Sequence, residues 1–202
     1  MSTMGNARTP VPNAIISGRQ GPQKGLWKMG CDIHAMIEYR FKNTQSWWSF
    51  WKTAVTLDRD YQMFCRIAGV RKLVGAKCVE PRGIPEDATW YTINQYTYTV
   101  VAKEAPEQDC ECGYCNVTDR ETADTWLKSG CSKKWKDEDH RITGPDWHSA
   151  SWLSYEELIA IATEYRLTTA WRLGTDWRAT LAAMAQFYND VCETRLVFWF
   201  DN

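Results

Sequence analysis

Between Gly30 and Phe41 apolar and polar residues alternate, the period-two signature of a β-strand with one face in a core. Cys31, Ile33, Ala35, Ile37 and Tyr39 fall on one face, and Asp32, His34, Met36 and Glu38 on the other. The first face reads as core. The second sets a carboxylate, an imidazole and another carboxylate in one row, more than a solvated strand face needs. Lys42–Gln45 is a polar turn, and Trp47–Val55 is aromatic and β-branched enough to predict a second strand paired as a hairpin. Asp58 is the expected N-cap of a helix whose Tyr61, Phe64, Cys65 and Ala68 form an apolar stripe and which stops at Gly69. Trp90–Val101 alternates polar with aromatic and β-branched residues and predicts a strand with a polar face. Ser154 and Glu157 form a capping box ahead of a helix with Leu158, Ile161, Ala162 and Tyr165 inward. Thr175 or Asp176 opens another helix, with Leu181, Met184, Ala185, Tyr188 and Cys192 on its apolar side. Arg195–Asn202 is almost continuously apolar, which predicts a strand in a central sheet position.

These elements mix without a regular βαβ rhythm. The expected class is α+β, a small mainly antiparallel sheet covered by helices, in one domain over residues 29–202. Residues 104–145 turn acidic, then Cys-rich, then charged, and read as an insertion. Residues 1–28 contain Arg8, Arg19, Lys24, Lys28 and three prolines but no acid, which predicts a disordered basic arm. The other reading of that segment is an extension ahead of a natural start at Met29.

Composition narrows the classes. A chain of 202 residues with 44% hydrophobic residues can bury a good core, and a formal net charge of −1 gives no global field for polyanions. Twelve Trp residues leave room for a stacking surface beside their structural use. Residues 1–28 lack the apolar stretch of a secretory signal, and no run reaches membrane-spanning length. A cytoplasmic location, reduced thiols and no membrane partner are therefore the expectation, and clustered Cys reads as metal binding.

Two motifs carry candidate chemistry. Cys110, Cys112, Cys115 and Cys131 can supply four thiolates to a structural Zn2+, with His140 able to replace one of them. Plain reduced thiols, or disulfides formed on handling, are the alternatives. The second motif is a repeated Asp-x-His: Asp32 with His34, and Asp146 with His148. On extended backbone each pair points one way. Together the four could hold a second divalent metal with open positions for water, or work metal-free with Asp orienting His for proton transfer. Each histidine could equally be a satisfied structural partner. Arg82, on the rigid loop Pro81-Arg82-Gly83-Ile84-Pro85, is either a positioned anion ligand or a plain loop cation.

The blocks Met29-Gly30-Cys31-Asp32-Ile33-His34, Arg59-Asp60-Tyr61 with Phe64, Pro81-Arg82-Gly83-Ile84-Pro85, Asp146-Trp147-His148-Ser149 with Ser151-Trp152-Leu153, and the ending Val197–Asn202 resemble an uncharacterised family of small bacteriophage proteins. The resemblance spans residues 29–202 in outline and omits the basic arm. It implies a phage source, a chain that is complete from about Met29, and no particular activity. It also groups Asp32, His34, Arg59, Tyr61, Arg82, Asp146 and His148, with the arginines read as ligands of a phosphate-containing molecule.

Three functions follow as expectations. One is a metal-assisted or acid–base hydrolase of a nucleotide or nucleic acid, with Asp32, His34, Asp146 and His148 reactive and Arg59, Tyr61 and Arg82 binding the ligand. Another is a non-catalytic protein that binds a host defence component or sequesters a signalling nucleotide. The last is a structural module whose Asp-x-His pairs tie a sheet to a loop.

Overall fold

A computed structural model describes residues 30–101, 115–168 and 172–202. Along the chain the elements are β1 (Asp32–Phe41), β2 (Trp48–Ser49), β3 (Val55–Leu57), α1 (Tyr61–Ala68), α2 (Trp90–Tyr96), β4 (Thr97–Val101) and β5 (Asn116–Asp119). After them come α3 (Arg120–Ser129), β6 (Arg141–Thr143), β7 (His148–Ser154), α4 (Tyr155–Thr168), α5 (Thr175–Phe187) and β8 (Cys192–Asp201). The fold is α+β.

The main sheet is antiparallel throughout, ordered β2-β1-β8-β7, with β3 also paired to β1. Its spine is the pairing of β1 with β8, from Asp32 opposite Asp201 to Phe41 opposite Cys192. The apolar end of the chain is thus central, because both of its edges are covered by other strands. A second, mixed sheet has the order β5-β4-β6 and draws on the latter part of the expected insertion. The expected Cys-rich unit is not distinguished as such, since residues 102–114 lie outside the described residues.

Both faces of the main sheet are covered. On the first, Cys31, Ile33, Ala35 and Ile37 meet Leu196, Phe198 and Phe200 under α1, α4 and α5, whose Phe64, Leu158, Tyr165, Trp177 and Met184 complete the core. On the second, Met36, Glu38, Val197 and Trp199 are buried as well. On β1 that face was read as a row of Asp32, His34 and Glu38 with Met36 among them; the side chains of α2 and the aromatic residues beside the small sheet close over its middle.

Local chemistry explains where expectations held and where they moved. The α1 cap is Asp60, whose carboxylate accepts from the Gln62 and Met63 amides, and not Asp58. Gly69 ends α1 at φ 64°, where a side chain would be strained. Ser154 and Glu157 form the reciprocal capping box, Glu157 taking the Ser154 amide at 2.9 Å and Ser154 Oγ taking the Glu157 amide at 3.2 Å. α5 opens at Gly174 without a side-chain cap, in place of Thr175 or Asp176. The strand expected over Trp90–Val101 is a helix followed by a strand: Thr89 Oγ1 caps the Thr92 amide and starts a turn that alternation alone does not reveal.

Candidate acid–base site at one end of the sheet

The start of β1 and the end of β8 lie side by side, so residues from opposite ends of the described chain share one sheet end. Cross-strand partners point to the same face, which puts Asp32, His34, Trp199 and Asp201 together. His34 Nε2 and Asp201 Oδ2 are 3.0 Å apart, and the Asp32 amide donates to Asp201 Oδ1 at 3.3 Å. One carboxylate thereby fixes both the backbone of β1 and the imidazole. The two side chains are 27% and 32% exposed, open enough for a substrate to reach. Beneath the imidazole, Trp199 stacks at 5.8 Å and 15°, and Trp147 approaches at 6.0 Å.

Arg59 completes the cluster. Its Nε and Nη2 donate to the two oxygens of Asp32 at 2.5 and 2.7 Å, a bidentate pair that leaves Nη1 outside it. The hydrogen bond from Arg59 holds the Asp32 carboxyl below the usual carboxylate range. Gly30 makes room: a Cβ there would sit 2.1 Å from Arg59 Nη1.

The second Asp-x-His pair does not join this cluster. β7 begins at His148, which lies opposite Phe200, while His34 lies opposite Trp199. Adjacent residues of β8 face opposite ways, so the two imidazoles are on opposite faces of the sheet. His148 stacks on Phe200 at 5.9 Å and its Nε2 lies 3.9 Å from Cys31 Sγ, with Nδ1 3.1 Å from Ser149 Oγ. Burial pushes the His148 pKa down and the Cys31 thiol up, which describes a neutral packed pair and no activated nucleophile. Asp146 has φ 60° and is exposed, with its amide donating to the Cys131 carbonyl. The residue between them, Trp147, turns toward His34, Tyr96 and Trp199, against a glycine, Gly144, whose Cβ would meet the indole at 2.4 Å. A four-residue site is therefore not assembled: the repeat is one of sequence and not of place.

The expected ligand residues also separate. Tyr61 opens α1, edge-on to Phe64 at 5.6 Å, with the Arg71 guanidinium over its ring at 4.8 Å. Arg82 stands beside Trp152, level with Met36 on β1 through Val197, four residues or roughly 13 Å along the strand from Asp32. Glu157 takes both of its terminal nitrogens, at 2.9 and 2.5 Å.

Arg82 lines a cleft of about 490 Å³ with Arg40, Trp47, Asp87, Trp152, Glu193 and Arg195. At its floor Arg195, 4% exposed, pairs with Glu38, which is wholly buried, at 2.7 Å, and with Asp87 at 2.8 Å. Trp47 lies 3.9 Å from the Arg195 guanidinium, which makes a cation–π contact. Glu38 also accepts from the Thr89 amide at 2.8 Å and Thr92 Oγ1 at 2.5 Å.

Of the expected zinc ligands, Cys110 and Cys112 lie outside the described residues. Cys115 precedes β5 and Cys131 follows α3; both are half-buried. Cys131 Sγ contacts Ser129 Oγ at 2.7 Å, and His140 is exposed beside Glu138 at 3.4 Å. Among the described residues no three His, Cys, Asp or Glu side chains come together as a metal-binding group, and no helix is long and apolar enough to cross a membrane.

The sequence reading missed Asp201, Trp199, Glu38 as an ion-pair partner, and Arg195. Strand geometry along β8 was the available signal, since residues two apart share a face, which puts Arg195, Trp199 and Asp201 together. A comparison with family models, curated proteins and solved structures finds no match.

Proposed function

We propose that the chain is a hydrolase of a phosphate-containing substrate, a nucleotide or nucleic acid, with His34 as its general base or acid. The 3.0 Å contact between His34 Nε2 and Asp201 in a half-exposed setting carries this reading. Asp201 orients the ring through Nε2–H and stabilises the imidazolium that forms when Nδ1 takes a proton from the attacking water. Nδ1 has no hydrogen-bond partner among the described residues. The water oxygen bonds to phosphorus, the ester oxygen leaves, and His34 returns its proton to that oxygen or to solvent. Arg59, held by Asp32, supplies a positive charge beside the dyad to offset the developing negative charge. The test is turnover of p-nitrophenyl and bis-p-nitrophenyl phosphate by the wild type and by His34→Gln and Asp201→Asn, with the melting temperature read alongside. Both variants should lose at least about 100-fold in rate while staying folded; wild-type turnover unaffected by either change removes His34 from the chemistry.

A structural Zn2+ on Cys110, Cys112, Cys115 and Cys131 remains part of the proposal, supported by their spacing. Metal analysis of the wild type should give one equivalent, lost in Cys112→Ser/Cys115→Ser.

The Arg–Trp cleft supports a second reading, a non-catalytic phage protein that sequesters a signalling nucleotide or engages a host defence component. Trp47 and Trp152 line the cleft with the Arg40, Arg82 and Arg195 guanidiniums on their rings, and a stacking base would have to share or displace those cation–π contacts. A phosphate would have to displace Glu157 from Arg82. Tryptophan fluorescence titrated with nucleotides, repeated on Arg82→Ala, separates this reading from the first: binding here without product favours sequestration.

A further inference from the structure

Away from both the dyad and the cleft, two sulfur atoms stand unusually close. Cys65 lies on α1 and is fully buried; Cys78 lies midway along the loop between α1 and α2 and is half-exposed. Their Sγ atoms are 2.8 Å apart. The loop is already folded back against the helix: the Leu73 amide donates to Cys65 Sγ at 3.3 Å, and the Val79 amide donates to the Arg66 carbonyl at 2.8 Å.

From this geometry we infer that Cys65 and Cys78 are a thiol–disulfide modification site, closed by exchange with a small disulfide such as oxidised glutathione. A covalent S–S bond needs about 2.05 Å, so under an ångström of side-chain motion brings the sulfurs together. A shared metal fits less well. Two thiolates at about 2.3 Å on a tetrahedral zinc stand roughly 3.8 Å apart, and no third ligand joins the pair among the described residues.

The half-exposed sulfur meets the reagent first. The Cys78 thiolate attacks one sulfur of oxidised glutathione, forms a mixed disulfide and releases one glutathione thiolate. The Cys65 thiolate then attacks Cys78 Sγ, and the second glutathione leaves. Two protein thiols give up two electrons and two protons, and one glutathione disulfide becomes two thiols. Burial, then the hydrogen bond with Cys65, pushes the Cys78 thiol up to about 11, so Cys78 is protonated at neutral pH and the exchange is slow without a catalyst. The bond closes the loop that carries Arg71, whose guanidinium rests on Tyr61 at the start of α1.

The test uses the full chain, reduced and then incubated with oxidised glutathione at alkaline pH, with free thiols alkylated under denaturing conditions before tryptic digestion. The expected product is peptide 60–66 joined to peptide 78–82, about 2 Da lighter than the two reduced peptides together. It should be absent from Cys78→Ser, and the oxidised wild type should melt roughly 5–10 °C higher than the reduced form. Alkylation of both cysteines after treatment overturns the inference. So does Cys78 left as a stable glutathione adduct, or Cys65 joined to another cysteine. Cys78 is half-exposed, so Cys78→Ser should fold; the peptide map of the wild type decides the matter even if it does not.

Discussion

Removing the carboxylate of Glu38 should be the most damaging single change on the second face of the sheet. The side chain is wholly buried and takes hydrogen bonds from the Thr89 amide, Thr92 Oγ1 and Arg195 Nε. In Glu38→Ala the Arg195 guanidinium stays buried with Asp87 as its remaining carboxylate, and two more donors lose their acceptor. Breaking a buried ion pair from one side costs about 3–5 kcal/mol, and the Trp47 contact together with Asp87 keeps the value within that range. At about 2–4 °C per kcal/mol for a chain of this size, the melting temperature should fall by roughly 6–20 °C. Urea unfolding of wild type, Glu38→Ala, Glu38→Met, Arg195→Met and the double variant Glu38→Met/Arg195→Met gives that loss and, with the two Met singles, a closed cycle. The double variant should recover at least ~2 kcal/mol relative to the sum of the singles, because no charge is left alone. A loss under about 1 kcal/mol in Glu38→Ala, or additive singles, refutes the reasoning that this pair is one closed unit.

Other expectations follow from the ends of the sheet. Gly30→Ala should leave the fold intact, since the Cβ meets only the tip of Arg59, but it should push that guanidinium off Asp32; carboxyl NMR should then show the Asp32 pKa rising toward its ordinary value, and an unchanged titration counts against the contact. His148 is held below its ordinary pKa by burial, so the unfolded chain binds the proton more readily. Stability should therefore be full above about pH 6.5 and fall as the pH drops from there toward the folded value. His148→Gln should lack that slope in urea midpoints measured between pH 7 and 5. Asp32 works the same way lower down: with its pKa depressed by Arg59, its contribution is present above about pH 4 and is lost as the pH falls through the folded value, a difference that Asp32→Asn abolishes.

Much of the scaffold was legible because period-two alternation and caps are local signals. β1 and β8 announce themselves by pattern, and α4 by Ser154 and Glu157. The misplaced features have identifiable causes. Asp58 and Asp60 are equally good caps in sequence, and only the backbone turn, in which the Asp60 amide donates to the Asp58 carbonyl, selects the second. In Trp90–Tyr96 the residues favour strands on average, yet Thr89 caps a helical turn and Thr92 reaches buried Glu38, so tertiary contacts override propensity. The site was half legible. Asp32 and His34 share a face because strand geometry demands it, but the partner of His34 lies 167 residues away at Asp201. The matching motif at Asp146-Trp147-His148 has the same spacing but carries no information about that partner. A left-handed Asp146 and the register irregularity between His148 and Ser151 give that segment its own orientation, and no local pattern encodes either.

The proposed hydrolysis turns on His34, oriented by Asp201, moving a proton at the phosphate ester. The most direct measurement is the steady-state hydrolysis rate of bis-p-nitrophenyl phosphate by wild type and His34→Gln, with equal melting temperatures confirmed for the two samples. Wild-type turnover should be measurable and should fall at least about 100-fold in the variant. Equal rates in the two proteins, or no product from the wild type with this or the mono-ester substrate, contradict it.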